Sequence, residues 1–348
     1  MTRKTNDNSR VQPQVSIFIP CYNEEATIQR LLTALKDQTF PTSNIEVIIA
    51  DGLSTDNTKG IINSFAEENQ DLAIRIIDNE KRFIPHALNL AAKAASGDIL
   101  IRMDAHSIPA LDYVECCVKA LLENKGDNVG GRWNIQPSKE GYIARSIAIA
   151  ASHPLGSGGA NYRSGNKAQK VDTVPFGAYK RETFERVGPF NESLLANEDY
   201  EWNMRLIADK GTVWFDPAIN CIYFSRGTYK ALAKQYFNYG YWKVKMLKLY
   251  PKTLRLRQLL PPVVTLLLVL SATTTIVSLL AGAPLLAALT AVMLLAYFTL
   301  LTLGVALSTP GNAMKLIPGI VGSISCMHFS WGFGFIYSAM GSFLKKTD

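Results

Sequence analysis

The chain has 348 residues, 48% of them hydrophobic and 19% charged, with a formal net charge of +7; that length allows one large domain plus an appendage. The charge is localised: nine Lys/Arg and no Asp/Glu lie between Arg226 and Arg257, the tail after Gln258 adds +2, and the first 225 residues carry −4. A nucleic-acid-binding domain would carry its own basic face, so that class is excluded, and five cysteines with no Cys-x-x-Cys pair exclude a disulfide framework.

Residues 1–12 read as a disordered tail. Their opening, MTRKTNDNSR, has no apolar stretch, so no cleaved leader is expected and the domain that follows is expected in the cytosol. VSIFIP (Val15–Pro20) is a β-branched apolar run that predicts a buried strand feeding the turn CYNEE. Ile28, Leu31, Leu32 and Leu35 follow at helical spacing. A second strand is predicted over Ile45–Gly52, ending in the polar loop LSTDNT, with a helix from about Thr58. Leu72–Asp78 predicts a third strand, residues 85–95 a helix, and Gly97–Ala105 a fourth strand. Strands alternating with helices imply an α/β, mostly parallel, Rossmann-like sheet covered on both faces. Ligands of such sheets bind beyond the carboxyl ends of the strands. Tyr22, Glu24, Asp51, Asp104 and His106 all fall there. No Gly-x-Gly-x-x-Gly follows the first strand, which excludes a dehydrogenase-type site.

Residues 226–257 combine the basic excess with Tyr229, Tyr236, Phe237, Tyr239, Tyr241 and Trp242, the composition of an interfacial linker against membrane lipid. From Gln258 to Met314 no Asp, Glu, Lys or Arg occurs, and none recurs between Lys315 and Lys345. Residues 258–345 therefore predict C-terminal transmembrane helices at about 261–281 and 285–307, with a third at 316–340. The third run is rich in Gly and Ser and could instead be re-entrant or split. Three crossings would place Lys345 and Lys346 outside, against the positive-inside tendency.

Three features can carry chemistry. Asp104 and His106 at a strand end can share a divalent cation with a nucleotide diphosphate, or Asp104 can merely cap the next helix. Asp51, in a loop with Gly52, Ser54 and Asp56, can accept from a base or ribose, or serve ordinary turn chemistry. Glu198 and Asp199, at a helix start in ANEDYEWN, can complement the helix dipole or supply a general base.

Taken in order, IPCYNEE, ADGLSTDNT, ALNLAAKAASGDILIRMDAH, FGAYKRETFERVGPFNE and NEDYEWNMRL resemble the family 2 glycosyltransferases over residues 13–225. The DAH form, with HPLGSGG, VDTVPFGAYKRE and QYFNYGYWK, is similar to the succinoglycan (ExoA-like) subgroup of exopolysaccharide enzymes. The resemblance implies a GT-A type glycosyltransferase domain that binds a nucleotide diphosphate sugar, expected to be a UDP-sugar. It implies nucleotide-sugar contacts from Pro20, Tyr22, Glu24, Asp51, Arg82, Asn89 and Asp104. Asp104 and His106 would hold Mn²⁺ or Mg²⁺, and His106 stands where the family has a second Asp. Gly177, Ala178 and Trp202 would lie on the acceptor side. Asp199 would be the catalytic base of an inverting transfer, with Glu198 orienting it. The acceptor implied is a polyprenyl-diphosphate-linked saccharide, handled by a multi-pass enzyme of the cytoplasmic membrane. A simpler lipid such as polyprenyl phosphate is the alternative acceptor, and an inactive membrane scaffold the alternative class. Processive family members carry Gln-x-x-Arg-Trp; here Gln235–Trp242 has no Arg before the Trp, which favours addition of a single sugar.

Overall fold

The computed structural model describes residues 14–344; the tail expected over residues 1–12 and the chain from Lys345 onward lie outside the described residues. The chain divides into two compact units, Met1–Arg132 with Lys167–Ile222, and Trp133–Asn166 with Tyr223–Asp348.

The first unit opens with β1 (Val15–Cys21), α1 (Ile28–Lys36), β2 (Ile45–Asp51), α2 (Thr58–Glu68), β3 (Ala73–Asp78), α3 (Ile84–Ala94) and β4 (Ile99–Arg102). β5 (Ser107–Pro109), α4 (Tyr113–Leu122) and β6 (Asn128–Pro137) follow, and β6 runs on into the second unit. There lie α5 (Tyr142–Ser152), α6 (Pro154–Ser157) and α7 (Asn161–Ser164). The chain then returns through β7 (Gln169–Lys170), β8 (Ala178–Lys180), α8 (Arg181–Val187), α9 (Glu198–Ala208) and β9 (Val213–Ser225).

The sheet order is β3-β2-β1-β4-β8-β6-β9-β5, with β7 on β9. The first four strands are parallel, and their register puts Cys21 opposite Asp51 and Asp51 opposite Asp78 at one edge. β1 and β2 are buried on both faces, which is why they read as unbroken apolar runs. Beyond β4 the direction changes, since β8 is antiparallel to both β4 and β6. α1 buries Ile28, Leu31, Leu32 and Leu35, the stripe its spacing predicts. α3 is tied to the loop before α9. Glu192 Oε2 accepts from Lys81 Nζ at 3.0 Å, and Oε1 meets His86 Nδ1 at 2.9 Å and Asn89 Nδ2 at 3.2 Å. These partners, the His86 hydrogen bond foremost, pull the Glu192 carboxyl down to about 2.

The second unit adds α10 (Tyr229–Leu249), α11 (Leu256–Leu280), α12 (Pro284–Ser308) and α13 (Ile317–Leu344), of which α10, α12 and α13 share a core with α5. Ile147 and Ala150 of α5, Leu232 and Tyr236 of α10, Leu301 and Val305 of α12, and Ile320 and Ile324 of α13 are buried together. Residues 133–166 group with the C-terminal helices because the apolar face of α5 has its partners there. Three helices among the described residues are long and apolar enough to cross a membrane: Gln258–Leu280, Pro284–Ser308 and Ala313–Gly341. The Gly/Ser-rich third run is one continuous helix. Its glycines let other backbones approach: a Cβ on Gly334 would lie 2.1 Å from the Phe237 carbonyl of α10.

Two expectations follow. A Cβ on Gly240 of α10 would lie 2.1 Å from the Trp331 carbonyl, so Gly240→Leu should destabilise the second unit by roughly 1–3 kcal/mol. An unchanged thermal midpoint in detergent would show that α10 and α13 do not pack there. Glu192 is held low, so its contribution is complete above its unfolded value near 4.5 and is lost as pH falls toward about 2. Its side chain is 36% exposed, so Glu192→Gln should cost only about 0.5–1 kcal/mol at neutral pH. The gap to wild type should close as pH falls from about 4.5 toward about 2, read as thermal midpoints of both proteins.

Candidate functional site

The loops after β1 and β2 are laced into one rim. The Asn23 N–H donates to Ser54 Oγ at 2.9 Å, the Thr55 N–H to Asn23 Oδ1 at 2.8 Å, and the Glu24 N–H to Thr58 Oγ1 at 2.8 Å. Tyr22 stands 46% exposed on this rim, with the Arg82 guanidinium 5.9 Å from its ring centre. Asn23, Leu53, Arg82, Phe176 and Asn197 all adopt left-handed backbone, with φ between 48° and 67°. Such residues cost of order 1–3 kcal/mol each and gather where surrounding structure enforces them. Four of the five belong to the loops after β1, β2 and β3 and to the start of α9.

Behind the rim lies a charge cluster centred on Arg102, the last residue of β4. Its residue surface is 4% exposed. Nη2 meets Asp104 Oδ1 at 3.2 Å and Glu198 Oε1 at 3.1 Å, and Nη1 pairs with Asp199 Oδ1. Burial alone would push the guanidinium pKa down, but Asp104 and Glu198 outweigh it and hold it up. The carboxylates are less buried than their partner: the Asp199 side chain is 29% exposed and that of Asp104 22%. Glu198, Asp199 and Glu201 occupy the first turn of α9, where the helix dipole favours negative charge.

The other expected residues divide by placement. Pro20, the residue before the last of β1, pairs opposite Ala50. Glu24 accepts from Thr27 Oγ1 at 2.5 Å and meets His106 Nδ1 at 3.1 Å, so Glu24, His106 and Asp104 share the ends of β1 and β4. Asp51 is wholly buried. Its carboxylate accepts from the N–H of Ser54 at 2.9 Å and from Ser54 Oγ at 2.5 Å, so it folds its own loop. Asn89 gives both ends of its amide to Phe190, donating to its carbonyl and accepting from its N–H, which ties α3 to the 190–192 loop instead of presenting the side chain at the mouth. Gly177 must be small, since a Cβ would lie 2.3 Å from Asn128 Oδ1. Ala178 is fully buried beside it. Trp202 is 1% exposed, donates to the Gly188 carbonyl at 2.9 Å and stacks on Tyr179 at 4.8 Å, so it is a wall of the core. Arg102, Asn128, Gly177, Tyr179, Asp199 and Trp202 line one small cavity.

Arg102 is the residue that motif reading passed over. A signal existed: it is the one charged position in the buried strand ILIR, and a charge there must be paired. At the strand ends Asp104 and Glu24 offer carboxylate oxygens and His106 an imidazole nitrogen. Among the described residues no three His, Cys, Asp or Glu side chains form a metal-holding group.

The sequence profile described as Glycosyl transferase family 2 matches residues 16–188. Among curated proteins, the succinoglycan biosynthesis protein ExoA of Rhizobium meliloti is 33% identical over 250 residues, 71% of this chain and 74% of that one. A dolichyl N-acetyl-α-D-glucosaminyl phosphate 3-β-D-2,3-diacetamido-2,3-dideoxy-β-D-glucuronosyltransferase of Methanococcus voltae is 30% identical over 240 residues, 67% of this chain and 74% of that one. Among solved structures, a mannosyltransferase from Pyrobaculum calidifontis in complex with GDP-Man and Mn²⁺ aligns with a TM-score of 0.60 at 19% identity, over 95% of this chain and 88% of that one. Residues 1–349 of TarS from S. aureus in complex with UDP-GlcNAc align with a TM-score of 0.50 at 15% identity, over 94% and 92%. With a GT-A-like sheet domain followed by long apolar helices, and with these relatives, the chain belongs to glycosyltransferase family 2 and is a nucleotide-sugar glycosyltransferase.

Proposed function

We propose that this enzyme transfers one sugar, with inversion, from a UDP-sugar to a polyprenyl-diphosphate-linked saccharide at the cytoplasmic membrane, its sugar-transfer unit in the cytosol. The observation that carries this reading is the single buried guanidinium of Arg102 gripping Asp104, Glu198 and Asp199. It sets a partly exposed carboxylate at the start of α9 beside the strand end suited to a diphosphate. The names of the relatives support the acceptor class, since one is named for a dolichyl-linked sugar phosphate and another for succinoglycan biosynthesis. Three long apolar helices support the membrane setting.

In this reading Asp199 takes the proton of the acceptor hydroxyl. The hydroxyl oxygen bonds to the anomeric carbon as the bond to the diphosphate oxygen breaks, and the diphosphate leaves with that electron pair. Glu198, nearly buried against Arg102, fixes the guanidinium that aims Asp199. Asp104, with His106 and Glu24 beside it, would hold Mn²⁺ or Mg²⁺, which when bound neutralises charge on the leaving diphosphate. Tyr22 offers an aromatic face to the base, with Arg82 at its edge. Gln235 lies within α10 and donates to Tyr223 Oη at 3.3 Å and Tyr239 Oη at 3.0 Å. The absence of Arg before Trp242 supports one addition per acceptor.

Asp199→Asn should lower kcat by about 10²–10⁴-fold while nucleotide-sugar binding stays within a few-fold, measured by turnover and calorimetry. Full turnover would remove the base from Asp199. Arg102→Lys keeps a charge but cannot span three carboxylates; kcat should fall more than nucleotide-sugar binding, and the pH profile of kcat should move. EDTA should abolish transfer and Mn²⁺ restore it in wild type. Asp104→Ala should resist that rescue. Turnover indifferent to chelation would take the cation away from Asp104 and His106. A screen of UDP- and GDP-sugars against lipid-linked saccharides identifies donor and acceptor, and transfer to polyprenyl phosphate alone would overturn the acceptor class.

A further inference from the structure

α10 and α13 lie side by side and run in the same direction. Tyr229 Oη donates to the Gly319 carbonyl at 3.2 Å, Gly240 seats against the backbone at Trp331 and Phe335, and Gly334 seats against Phe237. The rings of Phe237 and Tyr241 lie 6.0 and 6.2 Å from that of Tyr337. The contacts thus follow most of both helices, so the two can only take one orientation in a membrane.

The outer face of α10 decides which. Lys230, Lys234, Asn238 and Lys248 are exposed and Lys245 partly so, in one stripe at helical spacing. Lys230 to Lys248 extends about 27 Å along the axis, close to the ~30 Å thickness of the hydrocarbon. If α13 crossed the bilayer, α10 would cross with it and carry Lys234 and Lys245 into the hydrocarbon on an outward face. Lysines inside membranes are rare and turn toward a protein interior or water.

Contacts with the other two apolar helices give the same orientation independently. α11 and α12 pair antiparallel through Ser271 and Thr275 against Thr290. α13 meets α11 near its start: Trp331 Nε1 donates to the Gln258 carbonyl at 3.2 Å and Thr265 Oγ1 to the His328 carbonyl at 3.3 Å. It meets α12 in its second half, where Leu301 and Val305 pack with Ile320 and Ile324, and Tyr297 Oη lies 3.1 Å from His328 Nδ1. The far ends, with Leu280 and Leu285 more than three-quarters exposed, turn outward. α13 therefore crosses one end of a two-helix hairpin.

We infer that, among the described residues, α11 and α12 alone cross the bilayer, and that α10 and α13 form an in-plane platform on an anionic lipid surface. The lysine stripe faces phosphate headgroups. Phe333, Tyr337 and Met340, all exposed on α13, reach the acyl boundary. The C-terminus then returns to the side from which α11 starts, which agrees with Lys345 and Lys346 in the sequence.

The test reads topology and is independent of sugar transfer. Full-length chains carry a phosphatase that is active only outside the cytoplasm, fused before Met1, after Asp348, or in the turn at Gly282, in a bacterial host. The two terminal fusions should be inactive and the turn fusion active. An active fusion after Asp348 would overturn the inference. Lys234→Cys in an otherwise cysteine-free chain, labelled with a fluorophore in phosphatidylglycerol-containing vesicles, supplies the depth. Headgroup spin labels should quench it several-fold more than mid-chain labels, and the reverse order would also overturn the inference.

Discussion

A guanidinium inside a sheet is tolerable only if its charge is matched, because an unpaired ion in a dry interior costs far more than a domain has to spare. Arg102 is in that position, one residue beyond the apolar run Ile99–Ile101. Its three carboxylates come from two places in the chain, the extension of β4 and the first turn of α9. Pairing that buried cation therefore draws those segments together. α9 in turn brings Trp202 into the aromatic wall with Tyr179, Phe184 and Phe190. Much of the site's geometry is a by-product of keeping one cation satisfied.

The parts of the fold that were legible are those whose burial is uniform. β1 and β2 have both faces covered, so they spell apolar runs between turn residues, and α1 shows its stripe at Ile28, Leu31, Leu32 and Leu35. The strands after β4 were not legible. β5, β7 and β8 span two or three residues, too short for a period to register. The grouping of residues 133–166 with the C-terminal helices was hidden because it depends on partners far along the chain. At the site, motif order located the strand ends and the acidic start of α9. It did not show which acceptors were already spent, as Asp51 is on Ser54 and Asn89 on Phe190. A hydrogen-bond inventory is a property of folded neighbours, and one letter carries no trace of it.

The second unit resolves a tension that composition alone leaves open. A basic stretch beside an apolar one suggests an anchor followed by spans. In the structure the basic helix is instead the partner of one of the apolar helices, matched glycine to backbone at Gly240 and Gly334. α13 needs no polar face of its own, because α10 carries it for the pair.

The left-handed backbone at Asn23, Leu53, Arg82, Phe176 and Asn197 has a bearing on robustness. Each is a small elastic load, lightest at Asn23 and Asn197, whose side chains tolerate the conformation, and heaviest at Leu53, Arg82 and Phe176. The strands that those loops leave are anchored by Ile17, Ile48, Ile101 and their buried neighbours. As that core weakens, the loops are the first parts free to relax, while the strands still hold. Damage to remote core positions is thus felt in turnover before it is felt in the fold, and activity becomes the more sensitive gauge of how well the sheet is packed.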